Sequence, residues 1–282
     1  MTIALAINTN AGAVLATDSA ASMVRSDGTV AQVYNNAIKI VNLCKGQPFG
    51  VATYGAGSIG PYSIELLAKE FREKLPAIPG TKLLPKFEPD NYQLEAVGER
   101  FRRFIFDIYD KEFSKLADID KPSLGFILTG YSSGTRLPET YVISNEGGKP
   151  AKMTRQFGEV GYGIISQGQP EAIDRLVDGF SWGLFFTLAD RLKLDDAAKR
   201  SLAQLFLSSS PKLIHPAMPL QDAIDLARFL AETAVSYQRF LFDDKTVGGP
   251  IDIATMSRYE GFKWVQRKHY YPPELNPRNP RG

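Results

Sequence analysis

Strand-like runs in this chain come in pairs closed by short turns, and helix-like runs come in groups between those pairs. That order constrains the fold more than any single motif. Residues 2–8 (TIALAIN) and 13–17 (AVLAT) read as two strands around the turn Asn8-Thr9-Asn10-Ala11-Gly12. The polar stretch SMVRSDGTVAQVYNN reads as a loop or irregular edge, after which AIKIVNL and PFGVATY form a second strand pair joined through CKGQ. From SIELLAKEFREKL the period changes: Ile64, Leu66, Leu67, Phe71 and Leu75 share a face opposite Glu70, Arg72 and Glu73. PAIPGTKLLPKFEPD is a proline-punctuated loop, and a second helix runs from about residue 92 to 116. Strands return at LGFILTGY and ETYVIS; after GEVGYGII, helices are predicted over residues 169–192, 195–208 and 219–241. VGGPIDIATMS and GFKWVQ close the series as a last pair. Helices grouped between hairpins indicate an antiparallel sheet core with segregated helical layers, an α+β fold, and not a doubly wound parallel sheet. Residues 1–266 are assigned to one domain, and the proline-rich basic stretch 267–282 (RKHYYPPELNPRNPRG) to a tail, flexible or draped on a partner.

The bulk of the chain excludes several classes of function. At 282 residues it can bury a substantial core, and a net charge of +2 gives no field for nucleic acid or an anionic membrane. The lone Cys44 leaves no internal disulfide and, with no secretory leader read ahead of Thr2, fits a reducing compartment, the cytoplasm. The most apolar helical stretch, LVDGFSWGLFFTLADRL, carries Asp178, Asp190 and Arg191 and is too short to span a bilayer. His215 and His269 lie far apart without metal-ligand spacing, so no metal is expected; no cofactor is expected either. GAGSIG at residues 55–60 is a literal GxGxxG, but no strand with an acidic residue follows about 20 positions on, as a dinucleotide site requires. A glycine-rich strand-to-helix turn has a second use, because its backbone N–H groups can stabilise an oxyanion.

Thr2 becomes a chain terminus if one methionine is removed. A terminal threonine carries its own base: the hydroxyl attacks, and the α-amine, with an ordinary pKa of roughly 7.7–8.0, takes the proton directly or through water. Such a site needs a nearby cation, a carboxylate to orient it, and N–H donors for the oxyanion. Strand geometry lets Thr2, Asp18 at the end of the hairpin partner, and Lys39 on the next strand converge. Read alone, a lysine inside AIKIV fits an edge strand showing its charge to water; read with Thr2 and Asp18, it fits a buried, paired charge.

The ordered elements Thr2, GAVLATDS, Lys39-Ile40, PFGVATYGAG, LGFILTGYSSGTRLPETYVISNEGG, GYGIISQGQPEAIDRL and DDKTVGGPIDIATMSRYEG resemble the proteasome β-subunit family of N-terminal nucleophile hydrolases over most of the chain. The Met-Thr start resembles its bacterial branch. The resemblance implies a four-layer αββα sandwich, with two antiparallel sheets face to face and helices outside. It implies that Thr2 attacks a peptide carbonyl to form an ester acyl-enzyme, that Lys39 lowers the proton affinity of the site, and that Asp18 holds Lys39. N–H groups around Tyr54 and Gly55 would bind the oxyanion, the family's supporting serine aligns with Gln167 or, shifted by one, with Ser166, and Asp244 would be the acid ahead of the Gly-Gly pair. Partners implied are a peptide or unfolded protein as substrate, copies of the same chain in a ring or helical homo-oligomer, and an ATP-dependent unfoldase. The chain departs from the family at Ala20, where an arginine often follows the Asp-Ser pair, and at Val247, where a serine precedes the last Gly-Gly. Two rival readings are a non-proteolytic assembly subunit that retains the fold, and an amidase acting on small amides, a group that usually begins with Cys or Ser.

Overall fold

The computed structural model describes residues 2–24, 29–145, 149–158, 160–242 and 247–268; Asp244 and residues 269–282 of the tail lie outside the described residues. In chain order the first strands are β1 (Ile3–Thr9), β2 (Gly12–Thr17), β3 (Ala21–Val24), β4 (Val30–Tyr34), β5 (Ile40–Asn42) and β6 (Phe49–Gly55). A two-residue pair, β7 (Ser58–Ile59) and β8 (Tyr62–Ser63), leads into helices α1 (Ile64–Lys74) and α2 (Leu94–Glu112). Strands β9 (Leu124–Gly130), β10 (Glu139–Ser144), β11 (Lys152–Gln156) and β12 (Gly163–Gly168) follow. Then come α3 (Glu171–Val177), α4 (Trp182–Arg191), α5 (Asp196–Ser208) and α6 (Leu220–Phe240), and finally β13 (Asp252–Ser257) and β14 (Gly261–Gln266). The architecture is mixed α+β, with two five-stranded antiparallel sheets ordered β12-β1-β2-β13-β14 and β11-β10-β9-β6-β5.

The first hairpin shows why an almost wholly apolar sequence makes a strand with two distinct faces. In β1 the large residues Ile3, Leu5 and Ile7 alternate with Ala4 and Ala6, a period of two in size and not in polarity. The large set packs with Ala223, Ala227 and Leu230 of α6, and the alanines join Ala13, Leu15, Ile127 and Met256 between the two sheets. Small side chains on that inner face let the sheets approach closely. The other sheet buries Phe126 and Leu128 against Phe71 of α1 and Phe101 and Ile105 of α2. Buried Arg100 of α2 donates to the carbonyls of Pro79, Leu84 and Pro85, so one guanidinium fixes the proline-punctuated loop.

Several elements differ from the sequence reading. The polar stretch after Asp18 forms the hairpin β3–β4, exposed along much of its length and so without apolar alternation to mark it. Lys152–Gln156 adds the edge strand β11, which pairs with β10. The helix expected over residues 169–192 is two helices, because Gly179 takes a φ of +80° and the Ser181 side chain caps α4 by accepting from the Leu184 N–H at 3.1 Å.

Candidate active site

Thr2 stands just ahead of β1 and is buried, with 4% of its surface exposed. Its carbonyl accepts from the Gln169 N–H at 2.9 Å, which ties it to the chain leaving β12. Gly168 makes this approach feasible: its φ is +91°, and a Cβ there would lie 1.9 Å from the Thr2 carbonyl oxygen. By strand parity Thr2 shares the inner face of Ala4 and Ala6. It opens into a pocket of about 410 Å³ that Lys39 and Gly55 also line.

Because β2 runs antiparallel to β1, its end returns beside the start of β1 and delivers Asp18 there. The Asp18 carboxylate is fully buried and accepts from four donors. Oδ1 takes the Ile3 N–H at 3.0 Å and the Lys39 ammonium at 2.6 Å; Oδ2 takes the N–H groups of Ala20 at 3.1 Å and Gly248 at 3.0 Å. Lys39 therefore meets its partner in the interior and is not an edge-strand charge shown to water. Burial pushes its ammonium below the ordinary lysine value; Asp18 opposes this, Lys268 adds to it, and Asp252 opposes it. A cation inclined to give up its proton, held on a carboxylate beside a threonine, is suited to lowering the proton affinity of that threonine's neighbourhood.

At the Tyr54-Gly55 turn the two N–H groups point to opposite edges of the strand. Thr53 N–H donates to the Lys39 carbonyl at 2.9 Å on one edge, and Ala56 N–H to the Ser123 carbonyl at 2.9 Å on the other. By strand alternation the Gly55 N–H lies on the Lys39 edge and the Tyr54 N–H on the other, the β9 edge, and both residues line the pocket.

Ser166 is not brought to Thr2. It pairs in register with Leu5, whose side chain faces the helices, and its hydroxyl donates to Asp174 of α3 at 3.2 Å. Its neighbour Gln167 pairs with Ala4 and so shares the Thr2 face. Asp174 is raised to about 6 by burial, with the Ser166 hydrogen bond opposing and Asp178 and Glu171 adding to the rise. Asp244 lies outside the described residues, and Val247 is part of the apolar core beside α6.

A second lysine–aspartate pair beside the first is absent from the sequence reading. Lys268, just past β14, forms a buried ion pair with Asp252 and donates to the Ser19 hydroxyl at 2.7 Å. The signal was present in PIDIATM: an aspartate inside an apolar strand requires a cation. Among the described residues no group of three or more His, Cys, Asp or Glu side chains could hold a metal ion, and no helix is long and apolar enough to cross a membrane.

Two antiparallel sheets thus bring a threonine, a buried aspartate–lysine pair and a glycine turn together within a mixed α+β fold. Solved structures agree. The chain is similar to Anbu (ancestral β-subunit) from Yersinia bercovieri, at 11% identity and a TM-score of 0.55, covering 95% of this chain and 88% of that one. It is similar to the helical assembly of the Anbu complex from Pseudomonas aeruginosa, at 12% identity and a TM-score of 0.55, with 95% and 88% covered. A Gly-1 mutant of Anbu from Hyphomicrobium sp. strain MC1 aligns at 16% identity and a TM-score of 0.51, with 95% and 86% covered. No family model and no curated protein matches the chain. These findings correct the resemblance to bacterial proteasome β subunits: the structural neighbours are Anbu proteins, proteasome-like but a distinct family, and at 11–16% identity the likeness shows the fold alone.

Proposed function

We propose that the chain is a threonine-type peptidase whose nucleophile is Thr2, freed by removal of the residue before it. The observation that carries this reading is the buried Asp18–Lys39 pair, at 2.6 Å, whose lysine lines the same pocket as Thr2. The Thr2 Oγ1 attacks a peptide carbonyl while its proton passes to the threonine α-amine; the Gly55 N–H stabilises the oxyanion. The amine then protonates the leaving amine as the C–N bond breaks, leaving an ester acyl-enzyme. Water attacks that ester, returning the proton to Oγ1 and releasing the acid. Lys39 keeps the amine proton-poor by its charge, and Asp18 holds Lys39. Three separate apolar clusters, two of them between helices and a sheet and one between the sheets, support an αββα stacking of four layers. We further propose assembly with copies of the same chain, supported by the helical assembly of the Pseudomonas aeruginosa Anbu complex.

One observation favours a second reading, an assembly subunit that retains the fold without turnover: Ser166 bonds Asp174 on the far face of its strand, and Gln167 occupies the Thr2 side. Intact mass before and after exposure to a threonine-directed epoxyketone separates the two. The peptidase reading requires a free Thr2 terminus and one stoichiometric adduct that Thr2→Ala abolishes. A free terminus that never forms the adduct rejects it in favour of the assembly subunit.

A further inference from the structure

The Asp18–Lys39 pair does not stand alone. Ser19, the next residue, accepts from the Lys268 ammonium at 2.7 Å, and its hydroxyl donates to the Pro250 carbonyl at 2.6 Å. Its backbone is bound as well: Ser19 N–H donates to the Gly248 carbonyl at 3.0 Å, and its carbonyl accepts from Ala37 N–H at 2.9 Å, two residues before Lys39. Asp252 grips Lys268 twice, through the ammonium and through the main-chain N–H at 3.0 Å. The Lys268 and Asp252 side chains are 6% and 1% exposed, so the ion pair is removed from solvent screening.

We propose, on the strength of the peptidase reading above, that Lys268 is a positioning residue for this site: with Asp252 it fixes Ser19, and through Ser19 the Asp18–Lys39 pair, while bringing a second cation up to that pair. The charges that face Lys39 are Asp18 at the end of β2, Asp252 of β13, Lys268 after β14, the α-amine of a freed Thr2 ahead of β1, and Glu65 of α1 on the same pocket wall. Lys268 repels the Lys39 ammonium, and this outweighs the attraction of Asp252. Its charge thus adds to the positive field of Lys39 at the site, which acts in the direction the chemistry needs, towards a neutral threonine amine. A simple structural brace would require the ion pair but not its proximity to Lys39.

The test measures Lys39 itself, using full-length protein. Competitive acetylation with acetic anhydride, read lysine by lysine over a pH series by peptide mass mapping, gives the midpoint at which Lys39 becomes reactive. Lys268→Met is expected to raise that midpoint by at least about half a unit, a roughly threefold loss of reactive Lys39 at a fixed pH below it. Lys268→Arg, which keeps the cation, is expected to restore reactivity to within about twofold. The double variant Asp252→Asn/Lys268→Met leaves no lone buried charge and serves if the single variant does not fold; its midpoint is expected to rise by a smaller amount. The acid limb of epoxyketone adduct formation is expected to move with the Lys39 midpoint. A midpoint that stays put in both folded variants overturns the proposal and makes the pair a brace. A shifted midpoint in a protein that forms no adduct supports the coupling of the two lysines while rejecting the peptidase reading.

Discussion

Asp18→Asn is the sharpest test of how the site is held. In the native protein each carboxylate oxygen serves two donors, one oxygen binding Ile3 N–H and Lys39 and the other Ala20 N–H and Gly248 N–H. An asparagine fills the same volume but has one oxygen. Whichever way the amide turns, two donors face its NH₂ group, and the Lys39 ammonium loses its counter-charge in a site that is 0% exposed at Asp18. Breaking a buried pair costs about 3–5 kcal/mol, and each orphaned N–H about 1–3 kcal/mol where nothing relaxes. Local rearrangement and deprotonation of Lys39 recover part of this, so a net loss of about 3–5 kcal/mol is expected, a large share of the roughly 5–15 kcal/mol that holds a domain folded. Lys39→Met removes one donor of four and leaves the carboxylate with three N–H bonds, so its loss is expected to be smaller, about 1–3 kcal/mol. Urea unfolding followed by far-UV circular dichroism, at one protein concentration, measures both. A Lys39→Met loss as large as that of Asp18→Asn, or an Asp18→Asn loss under about 1 kcal/mol, would mean that Asp18 is not the hub of the four bonds.

Other expectations follow from the same geometry. Ser166→Ala should leave the rate of epoxyketone adduct formation within about twofold of wild type, since the hydroxyl is directed at Asp174 and not at Thr2; a tenfold drop in that rate would contradict the strand parity. Gly168→Ala should displace Thr2, because its φ of +91° and the 1.9 Å approach to the Thr2 carbonyl leave no room for a methyl group. A loss of about 2 kcal/mol or more in urea, with loss of the adduct, would show it. Asp174 titrates at about 6 in the folded chain against 3.8 for an ordinary aspartate, so the folded state binds the extra proton between those values. Stability contributed by this group is therefore greatest below about pH 4 and declines as pH rises through 6. Discounted for its partial exposure, Asp174→Asn is expected to gain up to about 1 kcal/mol over wild type at pH 7.5 and nothing at pH 4, read from urea midpoints at the two pH values.

Much of the fold was legible because it rests on local periodicity. The large–small alternation of IALAI, the turn at Asn10-Ala11 and the apolar stripe of α2 are written in adjacent residues, and the structure builds each as a local unit. Edge elements were not legible for the opposite reason: β3, β4 and β11 lie largely at the surface, so their residues carry little apolar pattern. The division of α3 from α4 was written in Gly179 and Ser181, a stop and a cap two residues apart, yet apolar residues on both sides masked it.

At the candidate site, the sequence by itself determined that Asp18 returns beside Thr2, because a hairpin must return its second strand to the start of its first, while the turn of Lys39 inward onto Asp18 was decided by the packing of the second sheet on the first. Only the tertiary structure decided which way single residues face. Moving one position along a strand reverses the side chain, so Ser166 goes to the helices and Gln167 to the Thr2 face. Only the tertiary structure joined Lys268 to Ser19, 249 positions apart. Lys268 sits in a stretch whose composition suggested a solvated tail. Its position is set by a charge buried in another strand, and composition does not record the electrostatic demand of a distant group.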